Sequence, residues 1–269
     1  NDIYGTGEVG YVNRRAVFRD TAVKGWFDYL GWANPVAHDK KARFGKGTFE
    51  KGSDVLYDPN VDFTSLSVED YANLHVHWGK PTDGIMSSDL DAIPGDPNSG
   101  VYGIVKVIDK HRLKIEPAGR ADGQAAYSVG RRSYGSFRVA NCEFLLLDTR
   151  SHRSMHDVKN PAQPGATILG KQQLKWVKDT IDQSDADFFF MASSVDFMIP
   201  HVGNGGGSDL NLAVAKDDAW TVFLEEREDL IEFFEKREPK QFFMMTGDLH
   251  NSFAIKVTPN IWEFASGPG

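Results

Sequence analysis

One cysteine, Cys142, occurs in the 269 residues. No disulfide can form within the chain, so the fold rests on a buried core, which a chain of this length can supply. Long apolar runs are also missing: none approaches the roughly 18 residues that cross a bilayer as a helix. Positive charge is in deficit, with 30 Lys and Arg against 38 Asp and Glu for a formal net charge of −8. That balance excludes a chain built to wrap nucleic acid or an anionic membrane, because both need a basic face. A phosphorylated substrate stays compatible, since a bound metal supplies local positive charge. No internal repeat and no targeting segment is visible. The chain opens at Asn1 without Met and closes on "WEFASGPG", so both ends read as cut and localisation is not readable from it. Hydrophobic residues make up 41% and charged residues 25%, which excludes wholesale disorder.

Three zones follow. Residues 1 to about 66 are aromatic and glycine-rich; "GWFDYLGWANP" suits a short helix stopped before Pro35. Around "TSLSVEDYANLHVHWG", Ser67 caps a predicted helical turn and "NLHVHWG" alternates as a strand. From about 100 to 150 the pattern is strand-rich. "VYGIVKVID" and "RLKIEP" form one predicted hairpin, "SYGSFRV" and "CEFLLLDTR" a tighter second. The run "FLLL" predicts a strand covered on both faces. From 165 onward helix and strand alternate. "LGKQQLKWVKDTIDQS" is an amphipathic helix with Leu174, Val177 and Ile181 inward, and "ADFFFMASS" and "QFFMMTGD" are buried strands. "DDAWTVFLEEREDLIEFFEKREP" is the strongest helix, capped at Asp217 or Asp218, with Trp220, Phe223, Leu224, Ile231 and Phe234 on one face and Pro239 beyond its end. Alternation of this kind predicts α/β layers.

Several constellations carry candidate chemistry. In "MMTGDLHNS" a buried strand ends at Gly247, and Asp248 and His250 follow two residues apart, so both can point at one ion. Taken alone, the segment fits a turn capped by Asp248 better than one jaw of a metal site. In "LLLDTRSHRSMH", Asp148 follows another buried run, and Arg150 and Arg153 have the fork geometry that holds phosphate oxygens. The competing reading is an Asp148 to Arg ion pair that fixes the loop. His152 and His156 are spaced i, i+4, but nothing near them argues for the helix a shared metal would need. His75 and His77 share one face of "LHVHW" without a visible third ligand, and "SSVDFMIPHVGNGGG" places His201 in a glycine-rich lip after a strand. Arg227 falls on the apolar face of its helix, which predicts a buried salt bridge, because an unpaired buried guanidinium is very costly.

In order along the chain, "SYGSFRVANCEFLLLDTRSHR", "ILGKQQLKWVKDTIDQSDADFFFMASS", "DAWTVFLEEREDLIEFF", "MMTGDLHNSFA" and "WEFASG" resemble the alkaline phosphatase D (PhoD-like) family of metallophosphatases, over about residues 133–267. The resemblance implies an α/β, metallophosphatase-like sandwich of two mixed β-sheets flanked by helices. It implies a single domain over 1–269, the carboxyl-terminal part of the enzyme, with a poorly matched, inserted region at about 1–130. The family's Gly-Asp-x-x-Tyr and Asp-Asp-His-Glu strands are absent from this chain, which therefore lacks the amino-terminal elements. An amino-terminal segment outside this chain is then an associated partner. Carried over by position, Asp248 and His250 are metal ligands, and "NDIYG" makes Asn1 a third. Arg150 and Arg153 neutralise phosphate oxygens, or serve as scaffold. The implied activity is hydrolysis of small phosphoesters by metal-activated water. Ca and Fe are the implied metals and Zn or Mn the alternatives, with a periplasmic or secreted location. Two other readings keep the fold: a hydrolase of another ester, and a non-catalytic binding protein.

Overall fold

The computed structural model describes residues 43–69, 71–76, 97–98, 100–150, 152–154, 162–199, 219–247 and 251–267. Two compact units divide the described chain, one ending at Ser133 and the other starting at Tyr134.

The first unit is all strand among the described residues. Its strands are β1 (Arg43–Phe49), β2 (Val55–Tyr57), β3 (Tyr71–Val76), β4 (Gly100–Asp109), β5 (Arg112–Glu116) and β6 (Gly123–Arg131). Every pair is antiparallel, in the order β1-β2-β5-β4-β3-β6, and β1 pairs with β6 from Arg43↔Val129 to Phe49↔Gly123, which closes a barrel. Alternation sets what lies inside: Leu113 and Ile115 point inward from β5 and join Phe49, Leu56, Leu74, Tyr102 and Val129 in one core. The β4–β5 hairpin forms at the predicted turn, where Asp109 accepts from the His111 amide (2.8 Å) and from Arg112 Nη1 (2.7 Å). A turn follows Ser67 at residues 68–69, where a helical turn is expected, and no helix is assigned there. A buried polar pair in this unit dictates a residue choice: the Tyr127 hydroxyl donates to Asp58 Oδ2 at 2.9 Å. A Cβ on Gly45 would lie 2.4 Å from that hydroxyl and 2.6 Å from that carboxylate, so the pair needs a glycine opposite it.

The second unit carries the helices. Its strands are β7 (Gly135–Val139), β8 (Cys142–Leu146), β9 (Phe188–Ser193), β10 (Gln241–Thr246), β11 (Phe253–Thr258) and β12 (Ile261–Ala265). Helices α1 (Gly170–Gln183) and α2 (Leu224–Glu235) connect β8 to β9 and β9 to β10. The sheet order is β11-β12-β10-β9-β8-β7, with β8, β9, β10 and β12 parallel and the two outer strands antiparallel. One face packs Leu145, Phe189, Met191, Phe242, Met244 and Ile261 against Val177, Ile181, Leu230 and Phe234. Phe234 stacks on Phe242 at 4.5 Å, joining α2 to the centre of the sheet.

The α/β class is thus realised in this unit, but the chain is not two mixed sheets: the first sheet is wholly antiparallel and closed. Its strands exchange bonds from β1 around to β6, which leaves no open edge and no flat face. The expectation that "FLLL" is covered on both faces also needs correcting. Leu145 alone is fully buried there, while Phe144 stacks in a register-matched row, Phe137–Phe144–Phe190–Phe243, across the face away from the helices, with Trp262 next in register. Phe137, Phe188 and Met245 on that face are exposed.

The long predicted helix also breaks. Trp220–Val222 form a 3₁₀ turn, Phe223 leaves the helical region (φ −128°, ψ 52°), and α2 begins at Leu224. Tertiary contacts explain the break: Trp220 Nε1 donates to Ser193 Oγ (3.2 Å) and its backbone amide donates to the Asp196 carbonyl (3.0 Å). The segment at Asp217 and Asp218 lies outside the described residues. Arg227 does not make a buried bridge; it pairs with its neighbour Glu228 (2.6 Å), whose side chain is 58% exposed. The buried charge is one position earlier. Glu226 accepts from the amides of Ile168 (3.2 Å) and Leu169 (2.9 Å) and from the Thr167 hydroxyl. Burial pushes its carboxyl up from the ordinary 4.5 to about 7 against those hydrogen bonds.

Two outcomes are expected. Gly45→Ala should destabilise the chain by about 1–3 kcal/mol through overpacking, whereas Gly130→Ala, whose Cβ would meet nothing within 4 Å, should change it by about 0.5 kcal/mol or less; denaturant midpoints check both. For Glu226 the raised pKa means that the stability from its bound proton is present below 4.5 and lost as pH rises through about 7. Wild-type stability should fall across that window by at most roughly 3 kcal/mol. Glu226→Gln carries no titrating proton and should flatten the curve; a variant profile parallel to wild type would show that this carboxyl is not responsible.

Candidate active site

A parallel sheet sends its connections off the carboxyl ends of its strands, which is where open α/β folds gather their sites. In the second unit these ends are aligned: Leu146 is paired with Ala192, and Thr246 with both Ser193 and Ala265. The segments beyond them begin at Leu147, Ser194, Gly247 and Ser266.

The segment after β8 carries Asp148, Thr149, Arg150, His152 and Arg153. Gln173 on α1 holds its start: the Asp148 amide donates to Gln173 Oε1 (2.8 Å), and Gln173 Nε2 donates to the carbonyls of Asp148 (2.8 Å) and Leu169 (3.1 Å). The Asp148 carboxylate turns back onto its own loop, accepting the Arg150 amide at 2.9 Å and lying 3.9 Å from His152 Nε2. Thr149 and Ser194 share a hydroxyl–hydroxyl hydrogen bond of 2.6 Å, which links the exits of β8 and β9. His152 is buried edge-on to Tyr134 at 5.4 Å. Of the two arginines, Arg150 is half-buried, and Arg153 is buried with its guanidinium over the Phe223 ring (5.7 Å).

Asp248, His250 and Asn1 lie outside the described residues, as do His77, His156 and His201. The structure brings the flanks of "GDLH" to the sheet edge: Gly247 follows β10, and Asn251 precedes β11. Gly267, just past β12, meets the backbone of Asn251 so closely that a Cβ would lie 2.7–3.0 Å from it, and its amide donates to Ser252 Oγ (3.0 Å). That contact needs glycine, and it ties the segment after His250 to the end of β12. His75 is buried in β3 of the first unit. Among the described residues, no three His, Cys, Asp or Glu are grouped to hold a metal. No helix among them is long and apolar enough to cross a membrane, which says nothing of a β-barrel.

Four residues of this region fall inside the family-like segments, yet none of them is assigned a role by the sequence reading: Gln173, Glu226, Glu263 and Gly267. Glu263 leaves a signal. In "IWEFA" it occupies the inward parity shared by Ile261 and Ala265, and it is fully buried. A charge at an inward position of an apolar strand calls for donors from elsewhere.

Gln173→Leu keeps the volume while leaving the backbone groups of Asp148 without their buried partner. It should cost about 1–3 kcal/mol, read as a shift in denaturant midpoint; an unshifted midpoint would show that the clamp contributes nothing.

Comparison with known proteins adds family membership. A family model described as PhoD-like phosphatase matches residues 117–268, which takes in β6 and the described second unit. Over 133 residues the chain is 27% identical to alkaline phosphatase D of Bacillus subtilis (strain 168), an alignment covering 46% of this chain and 22% of that one. A solved structure described as "Structure of PhoD" aligns at 24% identity and a TM-score of 0.41, over 51% of this chain and 29% of the other. The chain therefore spans less than a third of the length of either relative. With more than half of its residues matched by the family model, the chain belongs to the PhoD-like phosphatase family.

Proposed function

We propose that this chain is the carboxyl-terminal part of a metal-dependent phosphoric ester hydrolase of the alkaline phosphatase or phosphodiesterase type, acting on a small phosphoester. The observation that carries the reading is the placing of two family segments, "LDTR" and the flanks of "GDLH", at the aligned carboxyl ends of β8 and β10. Asp248 and His250 would hold metal, with Asn1 as a third ligand. An oxygen-rich donor set with one imidazole suits Ca or Fe, with Zn or Mn as alternatives. Such a metal makes a nucleophile of water at neutral pH.

The described residues supply the setting. Asp148 accepts the Arg150 amide and lies 3.9 Å from His152 Nε2, and in this reading the two would shape the loop. Arg150, half-buried on that loop, would neutralise a phosphate oxygen. Arg153, buried with its guanidinium over Phe223, would add positive charge. Upstream elements outside this sequence would supply the remaining ligands and a second layer over the Phe137–Trp262 face, completing a sandwich. A periplasmic or secreted location accompanies the reading.

Asp248→Asn in the full-length polypeptide tests it, with elemental analysis for metal and turnover of p-nitrophenyl phosphate and bis-p-nitrophenyl phosphate. Loss of metal and a fall in rate of about 100-fold or more are expected. Unchanged metal content and rate would remove the site; metal binding without turnover of either compound by the wild type would favour a binding protein or a different ester.

A further inference from the structure

We infer that Glu263 is a positioning residue for the reaction centre: a buried carboxylate that clamps the loop leaving β9 to the end of β10 and so sets the direction of the chain toward Asp248. The inference rests on the hydrolase reading above for its catalytic consequence, but the clamp itself stands on geometry.

Glu263 is 0% exposed, on the helix-covered face of β12. Its Oε1 accepts the Phe197 amide at 2.7 Å and the Thr246 hydroxyl at 3.0 Å, and its Oε2 accepts the Met198 amide at 2.8 Å. Three neutral donors thus converge on one carboxylate, the condition under which a buried charge is tolerated. An apolar residue of similar size would fill the same space, and it would leave two successive amides of an irregular loop without an acceptor. The rest of that loop is tied as well. Ser193 Oγ donates to the Val195 carbonyl (2.7 Å), and the Trp220 amide donates to the Asp196 carbonyl (3.0 Å). Glu263 therefore completes the fixing of residues 195–198.

Thr246 gives the clamp its direction. It is the last residue of β10, with its carbonyl accepting the Ser266 amide (3.2 Å) and its hydroxyl on Glu263, two residues before Asp248. The carboxylate thereby couples three strands at the edge where the proposed ligands depart. A misplacement of the order of 1 Å at a reacting centre can cost about 100-fold in rate, so a rigid origin for this segment bears on turnover.

Glu263→Gln and Thr246→Val in the full-length polypeptide test the inference through amide hydrogen exchange at Phe197 and Met198, kcat and KM for bis-p-nitrophenyl phosphate, and the unfolding midpoint. Glu263→Gln places a donor where an amide needs an acceptor. It should speed exchange at one of the two amides about tenfold or more and lower kcat about 10–100-fold with KM nearly unchanged. Thr246→Val removes a hydroxyl that bonds Glu263 (3.0 Å) and, at 3.5 Å, the Phe264 carbonyl, and it leaves every backbone amide its acceptor; it should lower kcat several-fold in the same sense and keep the protein folded even if the first variant does not fold. Folded variants with a lowered midpoint but wild-type kcat would reduce Glu263 to a structural residue, and unchanged exchange would remove the clamp. A wild-type protein that turns over no phosphoester overturns the hydrolase reading instead, with exchange still reporting on the clamp.

Discussion

Loops that leave a parallel sheet have no ladder to satisfy their backbone groups, and in this protein buried polar side chains do that work. Gln173 takes both backbone groups of Asp148, Glu226 takes the amides of Ile168 and Leu169, and Glu263 takes those of Phe197 and Met198. Each of the three is at most 5% exposed, and each reaches a segment at least 25 residues away in sequence. A buried unpaired amide costs about as much as a lost core contact, so the conformation of the sheet edge depends on these side chains as much as on the core beneath.

The core has a different logic on each face of that sheet. Toward the helices, Phe189 and Phe242 pack with Phe234, Val177 and Ile181 in a closed interior. On the other face, rings at matched register stack along the strands' hydrogen-bonding direction, at centroid spacings of 4.8–4.9 Å from Phe137 to Phe243. That spacing equals the distance between strands, so register alone builds the row. The first unit uses neither device. Its alternating strands close on themselves, and the buried polar pair Tyr127–Asp58 is accommodated by the missing side chain at Gly45.

Much of this was legible because it is local. The β4–β5 and β7–β8 hairpins follow from alternation around short turns, and α1 follows from the inward stripe of Val177 and Ile181. The failures share a cause. Trp220 and Phe223 continue the apolar stripe of α2, yet the chain bends between them because the indole and amide of Trp220 have partners near the end of β9. Arg227 sits at an apolar helical position by counting from Trp220, and that count loses its phase once the 3₁₀ turn intervenes. At the site, Asp148 and the arginines stand out as chemistry-bearing types, but that Arg153 is buried over Phe223 depends on a residue seventy positions on.

The order of five short motifs determined the family, and strand alternation with turn residues determined the hairpins and the alternating second unit, because both are properties of neighbours in sequence. Closure of the first sheet into a barrel, the break at Phe223 and the placing of Glu226 and Glu263 were decided by tertiary structure. A closed barrel requires β1 to find β6 across eighty residues, and a buried carboxylate is acceptable only when distant amides arrive beside it. Those are conditions on pairs far apart in the chain, which no local pattern encodes.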